Sequence, residues 1–178
     1  EYGTILKLEL VDALRNQGKN NTLFSFLDQC RTAMGSRLLK DWVMHPLFDL
    51  KMILKRQAQI EHLLKDFIKY DRLQERLKLC YDVQRLVGRV SFGSANPQDL
   101  IRLRQTLNQV PEILSLMKHA IFAPLNQIDP LSELTQILND ALKDECPPTL
   151  KDGNIFRMGY HEQLDELRDV QNSGQKWL

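Results

Sequence analysis

Two threonines, Thr22 and Thr32, each stand directly ahead of a run whose apolar residues recur at helical spacing, and the second run ends at Pro46. A Thr hydroxyl accepts a hydrogen bond from an orphaned N–H in a helix's first turn. Proline lacks an N–H and pushes its predecessor out of the α region. The pattern predicts two short helices. Leu23, Phe26, Leu27 and Cys30 line one buried face of the first. In the second, Met34, Leu38, Leu39, Trp42 and Val43 face one way and Arg37, Lys40 and Asp41 the other, with Gly35 in the first turn implying close packing between backbones. Such a pair is a scaffold feature and holds no catalytic constellation.

The same logic extends along the chain. Residues 4–10 alternate, Leu6, Leu8 and Leu10 against Lys7 and Glu9, as a half-buried strand does. Asp49 caps a long helix with Ile53, Ile60, Leu64 and Phe67 at core spacing, followed by a helix through Leu73, Leu77 and Cys80 that shifts phase into Val83, Leu86, Val87 and Val90. Asn96-Pro97-Gln98-Asp99 is a strong start signal: a capping residue, a proline at the first helical position and an acid in the first turn. Leu100, Leu103, Leu107 and Val110 form its stripe, Pro111 is expected to interrupt it, and 119–126 reads as a connector. Asp129-Pro130 opens a helix through Leu131, Leu134, Ile137, Leu138 and Ala141 that ends near Glu145. Cys146-Pro147-Pro148 stops helix, 149–159 reads as a small hairpin or extended segment, and a last helix over 162–176 places Leu164, Leu167 and Val170 inside. The fold class is all-α, a multi-helix domain with a short N-terminal strand; residues 1–19 are strand and connector and 20–178 the helical domain.

Composition narrows the function. The chain has 178 residues, 43% hydrophobic and 26% charged, enough for a sizeable core. With 24 basic and 23 acidic side chains its net charge of +1 supplies no global field for nucleic acid or an anionic membrane. Cys30, Cys80 and Cys146 lie far apart without a Cys-x-x-Cys pair, which argues against metal binding and fits a reducing, cytoplasmic setting. No apolar run approaches the roughly 18 residues of a membrane span, and no signal peptide is visible. The chain begins without Met and its last helical pattern reaches Trp177-Leu178, so it reads as a segment of a longer protein.

Catalytic motifs are absent from the pattern. Gly88 and Gly93 have the spacing of the first two glycines of a phosphate loop, but the Lys and Ser/Thr that reach phosphate and magnesium are missing and a helix precedes them. Gly88 is read as a helix-packing position and Gly93 as a terminator. His45, His62, His119 and His161 are scattered and read as surface or capping residues. The serines have no nucleophile-elbow context. Asp82 and Arg85 are spaced for a helix-surface or interhelical ion pair, and Asp71 and Glu75 interleave the basic run Arg72, Arg76, Lys78. No catalytic, cofactor-binding or metal residue is assigned.

Several segments together resemble one family. Leu23-x-x-x-Leu27-Asp28 leads into Thr32-x-x-Gly35-x-Arg37-Leu38-Leu39 and Trp42-x-x-x-Pro46-Leu47. Asp82-Val83-Gln84-Arg85-Leu86, Ala95-x-Pro97-x-Asp99-Leu100 and Gly159-Tyr160-His161-x-x-Leu164-Asp165-x-Leu167-Arg168 follow in order. The series is similar to the core, or lever, domain of the bacterial MutS-type DNA mismatch-repair proteins. Gln84 stands where the family carries Glu, and His161 where Asn or Asp caps the last helix.

The resemblance implies a structural and allosteric role. In the longer protein this domain would couple the ATPase state to clamping on mismatched DNA; ATP and magnesium, a DNA duplex, a homodimer and a MutL-type partner all belong to that parent. For this chain the implication is no enzyme activity and weak DNA binding or none. An autonomous helical protein-interaction module is the alternative, and a nucleic-acid-binding domain acting alone is disfavoured by the near-neutral charge.

Overall fold

A computed structural model describes Gly3, residues 7–13 and residues 21–175. It is all-α, with helices α1 (Leu23–Leu27), α2 (Ala33–Met44), α3 (Leu50–Leu64), α4 (Phe67–Lys78), α5 (Val83–Ser91), α6 (Pro97–Leu116), α7 (Ser132–Ala141) and α8 (Glu162–Gln175). Two 3-10 segments, Ala120–Gln127 and Leu150–Asp152, lie among them. The chain forms two compact units, the first of residues 1–82 and 109–128 and the second of 83–108 and 129–178.

The caps are where the sequence puts them. Thr22 Oγ1 accepts from Ser25 N at 3.1 Å while Ser25 Oγ accepts from Thr22 N at 3.1 Å, closing a reciprocal box. Thr32 Oγ1 accepts from Gly35 N at 3.0 Å, and Asp49 Oδ1 from Lys51 N at 2.8 Å. Each such cap contributes about 1 kcal/mol.

In the first unit the expected N-terminal strand does not form over its described part. Lys7 is helical, Leu8 and Glu9 are turn and Leu10 is bend; residues 4–6 lie outside the described residues. The carbonyls a strand would need are spent on α1, Glu9 O accepting from Leu23 N and Leu10 O from Phe24 N. Val11, Thr22, Leu73 and Phe122 are buried here. The apolar face of α1 is not: Phe26 is 81% exposed, and Leu23, Leu27 and Cys30 are exposed too. Ile60, Leu64 and Phe67 are likewise exposed despite their helical spacing.

In the second unit Ile101, Ala141, Leu142, Cys146 and Ile155 form a cluster, with Leu100 and Leu138 packed against it. The expected end of α7 near Glu145 comes earlier. Leu142 turns extended and makes an antiparallel bridge with Phe156, so the main chain there pairs across instead of along a helix. The stretch 149–159 is therefore a 3-10 turn leading to that bridge, not a hairpin. The start of α7 is also later than Asp129-Pro130: Leu131 takes a left-handed conformation, φ +55°, while Asp129 Oδ1 accepts its N–H. The buried face then runs through Thr135 and Ala141, leaving Leu134 and Ile137 exposed. On α8, Leu167 and Val170 are exposed as well.

Pro111 does not interrupt α6, which runs unbroken to Leu116. Proline's fixed φ suits a helix, and the cost of the missing N–H, about 3 kcal/mol, is offset by the burial of Ile101, Leu103 and Leu107 on the same helix. The stretch 119–126, read as a connector, lies almost wholly in the 3-10 segment Ala120–Gln127, which His119 caps.

Candidate functional site

The motif residues fall at helix ends and ion pairs. Thr32 and Gly35 act together, since a Cβ at Gly35 would lie 3.0 Å from Thr32 Oγ1 and 3.5 Å from Cys30 Cβ. The glycine therefore makes room for the cap itself and for the turn preceding it. Two residues on, Arg37 grips the carboxylate of Asp82 with both terminal nitrogens, Nη2 reaching Oδ1 at 3.1 Å. The pair is partly sheltered, 39% and 13% exposed, and Asp82 holds the Arg37 guanidinium above its ordinary range. Two-point contact fixes the angle as well as the distance. Leu39 is half-buried, Leu38 and Pro46 are exposed, and Trp42 carries the Arg56 guanidinium 3.6 Å from its ring centre.

A second polar site in the same unit joins α4 to the end of α6. Glu112 accepts from Arg72 Nη2 at 3.0 Å and from Arg76 Nε at 2.8 Å, and these arginines hold its carboxyl below the usual range. Arg72 and Arg76 of the basic run on α4 thus pair with an acid of the same unit.

In the second unit Pro97 and Asp99 are almost wholly buried. Asn96 Oδ1 accepts from Asp99 N at 2.9 Å, and Asp99 Oδ2 accepts from Asn96 N at 3.1 Å. The other carboxylate oxygen takes Arg89 Nη2 at 2.6 Å. A start signal legible as three letters is thus also a buried ion pair. Arg85 stands exposed on α5. Gly159, at φ +81°, donates its N–H to Asp165 Oδ2 at 2.6 Å, and Arg168 bridges Asp165 Oδ1 at 2.9 Å to Phe156 O at 3.0 Å. Leu164 is half-buried beside them. His161 starts α8 through its main-chain carbonyl, which accepts from Leu164 and Asp165.

One cluster escaped the sequence. Arg104, 6% exposed, donates Nη1 to Leu142 O at 2.9 Å and Nη2 to Asp144 at 3.4 Å. Arg157 donates Nε to the same carbonyl at 2.7 Å and Nη2 to Asp144 at 2.7 Å. The available signal was Arg104 itself, inside the stripe Leu100, Leu103, Leu107, where a cation demands a buried acceptor. Gly93, at φ +66°, ends α5 as expected, but Gly88 is no packing position, since a Cβ there would meet nothing within 4 Å.

Among the described residues no three His, Cys, Asp or Glu side chains converge to hold a metal, and no helix is long and apolar enough to cross a membrane. Among the described residues, fold and contacts together define an all-helical domain whose motif residues sit at helix ends and in ion pairs. The chain belongs to the family MutS domain III, which it matches over residues 3–173. It is 41% identical over 182 aligned positions to the DNA mismatch repair protein MutS of Listeria innocua, covering 100% of the chain and 21% of that protein. The corresponding proteins of Bacillus pumilus and Bacillus subtilis are 42% and 39% identical over 175 positions, 96% of the chain and 20% of each protein. The chain thus spans about a fifth of the length of these curated relatives.

Proposed function

We propose that the chain is the helical core of a DNA mismatch-repair protein and acts as a relay, passing changes between an ATP-hydrolysing part and a part that closes on DNA. The observation that carries this is the collinear match along the whole chain to proteins named for that process. The chain itself supplies no catalysis in this reading. ATP, magnesium, duplex DNA, a second copy and a MutL-type partner act on other regions of the full-length cytoplasmic protein.

A relay needs parts that move as rigid pieces, each with two arrangements favoured by different ligands. The two-point Arg37–Asp82 grip and the Asp99 box suit the rigid pieces. Exposed Phe26, Phe48 and Phe67 fit surfaces covered by the remainder of the longer protein. They would equally serve an autonomous interaction module, so they do not separate the two readings.

The test is an exchange of this chain for the matching segment of the Bacillus subtilis relative. Restored low mutation frequency in cells is expected. In the purified hybrid, Arg37→Ala should shrink the change in ATP hydrolysis on adding mismatched duplex while leaving the DNA-free rate in place. A hybrid present at normal level whose cells mutate as freely as a deletion would overturn the repair reading. A variant with full DNA response would overturn the relay.

A further inference from the structure

His62 on α3 and His119 at the head of the Ala120–Gln127 segment are far apart in sequence, yet their rings stack with centroids 4.0 Å apart at 28°. Both belong to the first unit. His62 also meets the buried Phe122 edge-on at 5.8 Å, and Gln59, about one turn earlier on α3, donates to Ile121 O at 3.0 Å. The head of the segment is thus held to α3 at His119, Ile121 and Phe122.

His119 does two things at once. Its Nδ1 accepts from Ile121 N at 3.2 Å while its carbonyl accepts from Phe122 N at 2.9 Å. Acceptance at Nδ1 requires that nitrogen to be unprotonated, so neutral His119 carries its proton on Nε2. A second proton must go to Nδ1. It converts the acceptor into a donor, removes the cap, and sets a cation against the His62 ring.

No acid is among the charged groups that act on His62. These groups are His119, Lys69 of α4 and Lys65, which caps the end of α3, all cationic when charged. Glu61, the adjacent acid, is taken by Lys65 at 2.8 Å. Residues 120–127 carry no ionisable side chain, and the residue before His119 is Lys118. We propose that the His62–His119 stack is a proton-sensitive clasp, which holds the 120–127 segment on α3 while both rings are neutral and releases it when they take up protons.

The sign follows from linkage. Burial first, then the neighbouring cations, push His62 below the ordinary imidazole value of 6.5, so the clasped state binds fewer protons than the open one. Its hold is complete above that ordinary value and is lost as pH falls through and below it.

Amide hydrogen exchange at Ile121 and Phe122, corrected for the intrinsic pH dependence, tests this between pH 8 and pH 5. Protection should fall by about tenfold for each unit separating the clasped and free values of His62. The double variant His62→Phe, His119→Asn keeps a ring at 62 against Phe122 and an oxygen for the cap but binds no proton there, and should flatten the dependence. Unchanged protection in the parent chain, or the same loss in the double variant, overturns the proposal. Should the double variant fail to fold, the ring-proton titration of His62 in the parent chain decides: a midpoint at or above the ordinary value rules the clasp out.

Discussion

The two units of this chain solve the same problem, holding short helices together, by different means. In the second, Leu86, Ile101, Leu103, Leu107, Ala141, Leu142, Cys146 and Ile155 are buried, and the buried polar groups Asp99 and Arg104 are tied into that interior. In the first, the described buried apolar residues are Val11, Leu73 and Phe122, while Phe26, Phe48, Phe67 and Ile68 stand in solvent. What joins its helices is largely half-exposed and polar: Arg37 to Asp82, Arg72 and Arg76 to Glu112, Arg31 to Gln74. A buried apolar side chain is costly to truncate and has no proton to gain in acid, whereas exposed carboxylate pairs tolerate truncation and fail in acid. The two units are therefore expected to answer different perturbations.

The largest effect should come from Leu142→Ala, which empties a site 1% exposed and is expected to cost about 3 kcal/mol in urea denaturation. A cost under about 1 kcal/mol would mean the second unit is as loosely packed as the first. Asp99→Ala should follow closely, at about 2–3 kcal/mol, because it strands Arg89 and the Asn96 N–H together. In the first unit Thr32→Ala should cost only about 1 kcal/mol, the loss of one cap.

Acid separates the units in the opposite direction. Asp28, Glu61, Glu75 and Glu112, all in the first unit, are held below their ordinary values by hydrogen bonds, from Ser36 to Asp28, Lys65 to Glu61, Lys78 to Glu75 and Arg72 to Glu112. A depressed carboxyl contributes stability that is full above its ordinary value and is lost as pH falls through its folded value. Circular dichroism below about pH 4.5, the ordinary Glu value, should therefore show loss of structure that Glu112→Gln reduces. An identical acid profile for that variant would contradict the assignment.

The smallest contrast is between two glycines. Gly88→Ala in α5 meets open space and should stabilise by about 0.5–1 kcal/mol. Gly35→Ala in α2 gains the same helix propensity but drives its Cβ against Thr32 Oγ1, so thermal denaturation should show little net change. In a Thr32→Ala background the Gly35→Ala gain should reappear, a non-additivity that locates the conflict at the cap.

What the sequence disclosed was local chemistry. A cap is a contract between residues three apart, so Thr22, Thr32, Asp49 and Asn96 were all legible, and with them most helix starts. The resemblance of the motifs to the MutS family was legible for the same reason. Burial was not, because helical period says which residues share a face and nothing of what covers it; Ile60 and Leu64 keep the spacing and remain exposed. Long-range partners were hidden altogether. The sequence spacing pointed from Asp82 to Arg85 and gave no sign of the more distant Arg37, nor did His62 give any sign of His119. Continuation of α6 through Pro111 was likewise a balance between local cost and distant packing.

The carbonyl of Leu142, shared by Arg104 and Arg157, differs in kind from the side-chain grips elsewhere. Every residue type presents the same oxygen at that point, so replacement of the leucine alters the fit of the interior while the electrostatic joint stays in place. The anchor is thereby insulated from mutation at its own position. Heritable change can reach the joint only through its two arginines, or by diverting the backbone.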